Sequence, residues 1–391
     1  MGNNISGNDL CFGCRACEKS CGKNAIVMSM DEEGFLRPTL DEEKCVECGL
    51  CLRSCPVVHG EDIKRSSLKV YAAQARDEDI LMKSSSGGMF SVIADFVLSN
   101  NGVVFGAAYD EKLNVRHVKA ESVAELKGMR GSKYFQSDTC DTYVSVKQEL
   151  KNGRLVYYAG TPCQIAGLRL FLRKEYSNLV TSDLICHGTP SSKIFHLFLE
   201  QMEKERFCRI VDYHFRDKRK GWGCSSSSSS SMRFNRFRTE IMRDYNMEAY
   251  FSAFIKGHIT RMDCYKCKFC TPNRVGDITI ADYWGIEEQH PEFPGNYKLG
   301  VSLVLVNTQN GANLWDAVKA KLRFCESSVE QIMKTDNKNY YMATPKPKER
   351  EMSYRDAFSD FKKFRRRYMY VGWLKYNLRI LYNNIKKWKT N

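Results

Sequence analysis

The chain has 391 residues, 43% of them hydrophobic, and carries 60 Lys and Arg against 46 Asp and Glu for a formal net charge of +14. This suits a globular protein of two or three domains, each with its own core, and excludes a bilayer-spanning helix, since no apolar run approaches the ~18 residues that one needs. Residues 355–391 hold eleven Lys or Arg and only two acids, Asp356 and Asp360, so most of the net charge belongs to a tail and does not by itself argue for nucleic-acid binding.

The first ten residues lack the basic start and apolar stretch of a secretory signal. Met1-Gly2-x3-Ser6 formally matches a myristoylation pattern, but the pattern is short and a free terminus is the expectation. Two cysteine runs follow: Cys11-x2-Cys14-x2-Cys17-x3-Cys21 and, 34 positions later, Cys45-x2-Cys48-x2-Cys51-x3-Cys55-Pro56. Thiolate sulfur is a soft ligand, and four around one centre suit a [4Fe–4S] cube. In two-cluster ferredoxins the fourth cysteine of each run ligates the other cube. The spacing therefore predicts one cluster on Cys11, Cys14, Cys17 and Cys55, and a second on Cys45, Cys48, Cys51 and Cys21. Zinc knuckles or a disulfide framework also use cysteines, yet eight in duplicate at this spacing favour the cubes. Gly22 stands where a proline usually follows the fourth cysteine, which removes no ligand. Such thiols must stay reduced, so a reducing cytosol is the expected compartment.

Between the runs, Ala25–Met28 and Gly34–Pro38 read as a hairpin around residues 31–34, and the polar residues 60–67 read as a linker. From Val70 strands alternate with helices. Strands are expected at 70–73, 103–108, 155–159, 179–185, 278–280 and 301–306, and helices at 87–100, 164–173 and near 311–323. This rhythm indicates an α/β domain. The serine run Ser225–Ser231 reads either as a linker or as a polar edge strand. Beyond Pro345 and Pro347, the residues Val371, Leu374, Leu378, Leu381, Ile385 and Trp388 recur with helical spacing. They describe a C-terminal helix that packs on its own domain, or one that lies on an anionic membrane surface or a partner.

Nine cysteines remain. Gly160-Thr161-Pro162-Cys163-Gln164 places Cys163 at a strand-to-helix turn, and Leu184-Ile185-Cys186-His187-Gly188 places Cys186 at the end of the next strand. Strand ends in such a sheet converge on one crevice. Cys264-x2-Cys267-x2-Cys270 offers a two-cysteine hook to complete a four-sulfur site there. Spacing alone admits zinc and does not choose among these three cysteines. Cys140, Cys208, Cys224 and Cys325 are isolated and read as apolar filling. Lys83-Ser84-Ser85-Ser86-Gly87-Gly88 precedes a helix and bares backbone N–H groups suited to phosphate or to ordinary capping. Arg130-Gly131-Ser132-Lys133-Tyr134 is a basic loop whose ring is placed to flank a nucleotide.

Taken together, these segments resemble the beta-subunit family of coenzyme F(420)-reducing hydrogenases and dehydrogenases over roughly residues 1–345. Phe215-Arg216-Asp217-Lys218 and Asp277-Ile278-Thr279-Ile280-Ala281-Asp282-Tyr283-Trp284-Gly285 belong to the same resemblance. It implies FAD and a third [4Fe–4S] cluster in the core. Cys163, Cys186, Cys264 and Cys267 would be the ligands, leaving Cys270 outside the set but able to substitute for Cys267. Ser85, Ser86, Gly87, Gly88, Gly131, Ser132, Lys133, Tyr134, Thr161 and Pro162 would line the FAD. The implied fold is an α+β ferredoxin-like N-terminal domain (1–60), then an α/β flavin and iron–sulfur domain in two parts (68–175 and 176–345); the basic helical tail (346–391) lies outside the resemblance.

The expected function is that of an iron–sulfur flavoprotein oxidoreductase. It passes electrons between an organic hydride donor or acceptor, FAD and the clusters, with Lys133 and His187 either stabilising a reduced flavin or donating a proton, or holding structure only. Two alternatives are a non-catalytic electron-transfer subunit and a redox protein of cell-surface polysaccharide biosynthesis. Expected partners are a redox protein or a small-molecule hydride carrier, with peripheral contact at the inner membrane face through 355–391 and no nucleic acid.

Overall fold

The protein is described by a computed structural model covering residues 4–5, 10–222, 229–235, 240–244, 248–369, 374 and 378. Met1, Gly2, Ser6, Ser225–Ser228, Cys224 and most of the apolar tail stripe (Val371, Leu381, Ile385, Trp388) lie outside the described residues. Leu374 and Leu378 are described and exposed. Among the described residues, no helix is long and apolar enough to cross a membrane.

The hairpin between the cysteine runs forms as expected. Strands β1 (Ile26–Met30) and β2 (Leu36–Leu40) pair antiparallel. Asp31 shapes the turn by accepting from the backbone N–H groups of Glu33 and Phe35. Residues 60–67 are less free than a linker: Gly60–Ile63 is a 3-10 turn, and Arg65 and Arg274 exchange backbone hydrogen bonds.

The centre of the molecule is an eight-stranded mixed sheet. Its strands are β3 (Lys69–Ala75), β4 (Val103–Tyr109), β5 (Val115–Ala120), β6 (Val156–Ala159) and β7 (Leu179–Leu184), then β11 (Ile278–Asp282), β12 (Ser302–Val306) and β13 (Leu322–Ser327). A separate antiparallel sheet holds β8 (Ile210–Asp217), β9 (Ser229–Phe234) and β10 (Glu240–Asp244). The large sheet runs β13-β3-β12-β11-β7-β6-β4-β5. Only its middle, β11-β7-β6-β4, is parallel. These four strands are largely buried on both faces; β4 and β6 are apolar runs, whereas β7 buries Thr181, Ser182 and Asp183. The expected helix near 311–323 instead spans Gln309–Val318, and from Leu322 the chain becomes edge strand β13. The described end of the serine run is the middle strand of the small sheet, not an edge: β9 is flanked by β8 and β10, and Ser230 hydrogen-bonds the buried Glu248 at 2.9 Å.

One face of the large sheet is covered by helices Met89–Ser99 and Gln309–Val318. The other receives helix Pro162–Leu172 and the cysteine-rich N-terminal region, and here Phe12, Ala16 and Val57 share one apolar core with Val103, Phe105 and Ile165. The far end of the chain is tied to the same region. Arg350, 3% exposed at the start of helix Arg350–Ser359, grips the Glu33 carboxylate with two hydrogen bonds of 2.8 and 2.6 Å and donates to the Thr260 carbonyl.

His117 on β5 is buried. It bonds to Ser137 Oγ at 2.7 Å and to the Ala159 carbonyl at 2.9 Å, and it stacks on Tyr158. Burial holds its imidazole down at about 4, against weaker upward pulls from the Ala159 carbonyl and Asp138. The unfolded chain binds this proton near pH 6.5, so the folded state loses stability as pH falls from about 6.5 through 4. Denaturant titrations of the wild type should show up to about 3 kcal/mol of acid-side loss from this group. His117→Gln should flatten that limb, and an unchanged slope would refute the assignment.

Candidate functional site

The two cysteine runs fold into tight loops. Positive φ at Gly13 and Arg15 in the first and at Glu47 and Gly49 in the second turns the backbone between cysteines. Ser20 and Ser54, the residues just before the two crossing cysteines Cys21 and Cys55, are buried and bonded to each other at 2.6 Å. Cys11, Cys14, Cys17 and Cys55 line one small cavity. Burial first, and then the Cys17, Cys55 and Cys11 sulfurs, hold the Cys14 thiol well above its ordinary range. Thiols that resist ionisation because of one another suit a cationic core that replaces their protons. In the second group, burial and then Cys45 push Cys51 up, Cys21 and Cys45 are half-buried and Cys48 is exposed. The first group is therefore interior and the second opens toward solvent.

The third cysteine group gathers at the carboxyl ends of β6 and β7. A capping box of Thr161 with Gln164 starts helix Pro162–Leu172 and sets Cys163 in its first turn. Cys186 follows β7. Gly188, at φ 112°, lets this turn press on the segment 260–264; an added Cβ would meet Thr260 Cγ2 at 2.7 Å and Cys264 Cβ at 3.3 Å. Burial, then Cys267 and Cys186, push the Cys163 thiol up to about 12. Burial, then Cys186, Cys267 and Cys163, raise Cys264. The four sulfurs that the sequence resemblance selects are thus mutual neighbours. Cys270 is a second neighbour: its thiol donates to Cys267, which lowers Cys267 and raises Cys270. Arg274, 1% exposed, fastens this loop by donating to the carbonyls of Phe269, Thr271 and Leu184.

The first and third groups adjoin. Helix Pro162–Leu172 carries Gly167 against the Cys14 sulfur, where an added Cβ would sit 2.9 Å away. Phe12 and Phe269 meet edge-to-face at 5.7 Å. Between them Asp263, 3% exposed, accepts from the Cys11 backbone N–H at 3.1 Å and pairs with Arg37 at 2.8 Å and Arg261 at 3.2 Å.

A cleft of about 730 Å³ opens at the carboxyl ends of the parallel strands. Its lining includes Cys163 and Cys186 and both loops singled out from the sequence. The loops meet directly, since the Ser132 N–H donates to Ser85 Oγ at 2.6 Å. Gly88 (φ 88°) caps helix Met89–Ser99, Gly131 (φ 82°) has no neighbour within 4 Å of an added Cβ, and Gly87 packs where a Cβ would strike Ser302 N at 2.6 Å. Thr161 also lines the cleft, while Gly87 and Pro162 support it from behind. The Tyr134 ring stacks on Phe251 at 5.2 Å.

Lys133 and His187 reach the cleft wall but are held by their own chain. Lys133 Nζ donates to the carbonyls of Met129, Arg130 and Gly131, and burial lowers it to about 7. The His187 nitrogens face Asn339 Oδ1 at 3.0 Å and the Ile255 carbonyl at 3.2 Å. Site residues beyond those selected from the sequence are Arg216, Lys218, Asp282 and Trp284. Arg216 bonds Tyr134 Oη and Asp282, each at 3.2 Å, and lies over the Trp284 ring at 5.1 Å. Lys218, lowered to about 7 by burial, holds the serine loop through the carbonyls of Leu81 and Ser86. Both basic residues stood in a segment that carried the resemblance. Nothing in their spacing indicated that a small separate sheet would deliver them to the cleft.

A 4Fe-4S dicluster domain matches residues 10–58. The N-terminal part of the coenzyme F(420) hydrogenase/dehydrogenase beta subunit matches residues 70–142, and its C-terminal part matches residues 153–332. The chain belongs to this beta-subunit family. The dicluster match sets a 4Fe-4S domain ahead of the two beta-subunit parts and marks the chain as related to iron–sulfur oxidoreductases. Over 44 residues it is 41% identical to the ferredoxin-type protein NapF of Escherichia coli (strain K12), covering 11% of this chain and 27% of that protein. Over 46 residues it is 44% identical to one component of the ion-translocating oxidoreductase complex of Methanosarcina acetivorans, covering 12% of this chain and 16% of that protein. The matched stretch is thus about a quarter or less of these curated relatives. A chain of the F(420)-reducing [NiFe] hydrogenase complex from Methanosarcina barkeri, in a xenon derivative, aligns over 77% of this chain and 91% of its own with a TM-score of 0.46 and 15% identity.

The contact at Gly167 gives a test of the interior group. Gly167→Val should press on Cys14 and lower the iron of the anaerobically purified protein by about four per chain, one cube. Circular dichroism should show a retained fold, and a full iron complement would refute the contact.

Proposed function

We propose that this protein is a flavin-dependent iron–sulfur oxidoreductase that exchanges a hydride with a small organic carrier in the cleft and passes single electrons to a redox partner protein at the ferredoxin face. The observation that carries this reading is the cleft itself. It has the size of a cofactor site, lies where α/β sheets bind ligands, and includes in its walls both glycine-serine loops and two cysteines of a four-sulfur group. The reading divides the chain into a ferredoxin part (1–60) and a flavin and cluster part (68–345).

FAD would lie along Ser85, Ser86, Gly88, Gly131, Ser132 and Tyr134, and a third [4Fe–4S] cluster on Cys163, Cys186, Cys264 and Cys267. When bound, the flavin supplies two-electron hydride chemistry and the clusters one-electron transfer. The rest is the protein's work. The start of helix Met89–Ser99 presents unpaired N–H groups and a positive dipole end for a phosphate, and Gly88 and Gly131 keep side chains out of its way. Tyr134 and Trp284 offer ring faces. Arg216 holds both rings in place through Tyr134 Oη and its cation–π contact. Lys133 and His187 act here as positioning residues. Lys133 gathers three carbonyls and so fixes the loop that carries Ser132 and Tyr134, and His187 pins the Cys186 turn to residues 255 and 339. Phe12, Phe251 and Phe254 exclude water from the inner wall.

The test is to purify the full chain without oxygen and count iron, sulfide and flavin. Three cubes predict about twelve irons with one FAD per chain. About eight irons and no flavin would overturn the flavin reading and leave a carrier of electrons between other proteins. Ser85→Ala removes the bond to the Ser132 N–H, so it should weaken FAD binding about tenfold, roughly 1.4 kcal/mol, with iron unchanged.

A further inference from the structure

At the edge of the large sheet, far along the chain from the ferredoxin cysteines, three ligand-bearing side chains of different chemistry converge. His290 follows the short helix Ile286–Gln289, Glu292 lies two residues on, and Cys325 sits on β13. One ligand atom from each lies within 4.8 Å of the other two. His290 is buried, Cys325 is half-buried and the Glu292 side chain is open to solvent.

The surrounding hydrogen bonds set the orientation of the imidazole. Gln331 Nε2 donates to the Gln289 carbonyl at 3.2 Å, which turns its Oε1 toward Ser327. The single Ser327 hydroxyl proton is thereby directed to Gln331. Ser327 Oγ is left as the acceptor for the Tyr283 hydroxyl at 2.6 Å and for His290 Nε2–H at 2.9 Å. With Nε2 carrying the proton, the neutral ring turns the bare lone pair of Nδ1 toward Glu292 Oε1, 2.9 Å away. Two acceptors at that distance require a cation between them, either a proton or a metal ion. Cys325 Sγ beside them supplies the third and softest donor. A metal-bound histidine whose other nitrogen is fixed by a hydroxyl or carbonyl is the usual arrangement around such ions.

We propose that His290 Nδ1, Glu292 and Cys325 form a binding site for a divalent transition metal ion of the zinc class. Mixed nitrogen, oxygen and sulfur ligation suits zinc, whose bonds of about 2.0–2.3 Å need only a small closure of the three atoms. Cys325 loses its thiol proton to solvent on binding. Solvent beside Glu292 completes the four-coordinate shell. The ion fastens the segment after residue 290 to the edge of the sheet, at strand β13, which among the described residues pairs with β3 alone.

The test uses the full chain, purified without oxygen with its clusters loaded and its iron counted before and after. Zinc chloride titrated by calorimetry should show one binding event that raises the thermal midpoint and leaves the iron count unchanged. Cys325→Ser and Glu292→Gln should each weaken that event by about tenfold or more. Cobalt(II) should give a thiolate charge-transfer band in the difference spectrum, lost in Cys325→Ser. Glu292→Gln alters an exposed side chain, so it keeps the comparison valid if Cys325→Ser fails to fold. Zinc binding that is equal in the wild type and the variants, or absent from the wild type, would overturn the site.

Discussion

A missing side chain sets the spacing of this molecule. Gly167 lies in the middle of the helix that begins with Thr161 and Cys163, and its bare backbone lets the Cys14 sulfur rest on the helix surface. The same helix packs on the central sheet through Ile165, Ala166 and Leu168. A single rigid rod therefore touches one cysteine group with its flank and contributes to another with its first turn. Electron transfer between sites depends steeply on their separation, and here that separation is set by close packing, which resists deformation. The Asp263 carboxylate between Arg37 and Arg261 reinforces the arrangement, because a buried charge held by two partners cannot leave without stranding them.

The cleft is built on a different principle. Its base is made of strand ends, fixed by the ladder of the parallel strands, while its rim is made of loops that would be loose if left alone. Each loop is secured by hydrogen bonds to a distant part of the chain. The Ser84–Gly88 segment is held by Lys218 from the small sheet, and the Gly131–Tyr134 segment by Lys133 and by Tyr250, whose hydroxyl donates to the Tyr134 carbonyl. Both lysines are buried, and burial shifts each downward while their carbonyl partners hold them in place. Loops that carry binding groups on a rigid scaffold are the common arrangement for ligand sites. In this protein much of the anchoring comes from two buried lysines that bind backbone carbonyls.

Much of this was visible before the fold was known, and the reasons are physical. The cysteine runs were legible because ligand spacing is a local property of one loop, and the hairpin between them because Asp31 and Gly34 write a turn directly. The strand-end cysteines Cys163 and Cys186 were legible because each follows a strand within a few residues. Arg216, Lys218, Asp263 and Arg274 were not, since their roles come from contacts across 60 to more than 200 positions that no short pattern encodes. Cys325 read as apolar filling and does pack against an apolar cluster, but the nearness of His290 and Glu292, over thirty residues earlier, is written in no short pattern. Of the two readings of the serine run, linker or edge strand, its described end is a strand, but a middle one, because a polar strand looks like an edge until its second neighbour is seen. Here Ser230 is satisfied by Glu248, which arrives from beyond the next strand.

The grip of Arg350 on Glu33 has a consequence for how the protein is made. The two residues are 317 positions apart, and ribosomes deliver the amino end first. The hairpin between the cysteine runs therefore leaves the exit tunnel long before its clasp exists, and contacts of such long range close late in folding. The arrival of helix Arg350–Ser359 then shuts the hairpin against the body of the protein. A chain stopped short of this helix would keep the hairpin turn while losing the two Arg350 bonds that hold it.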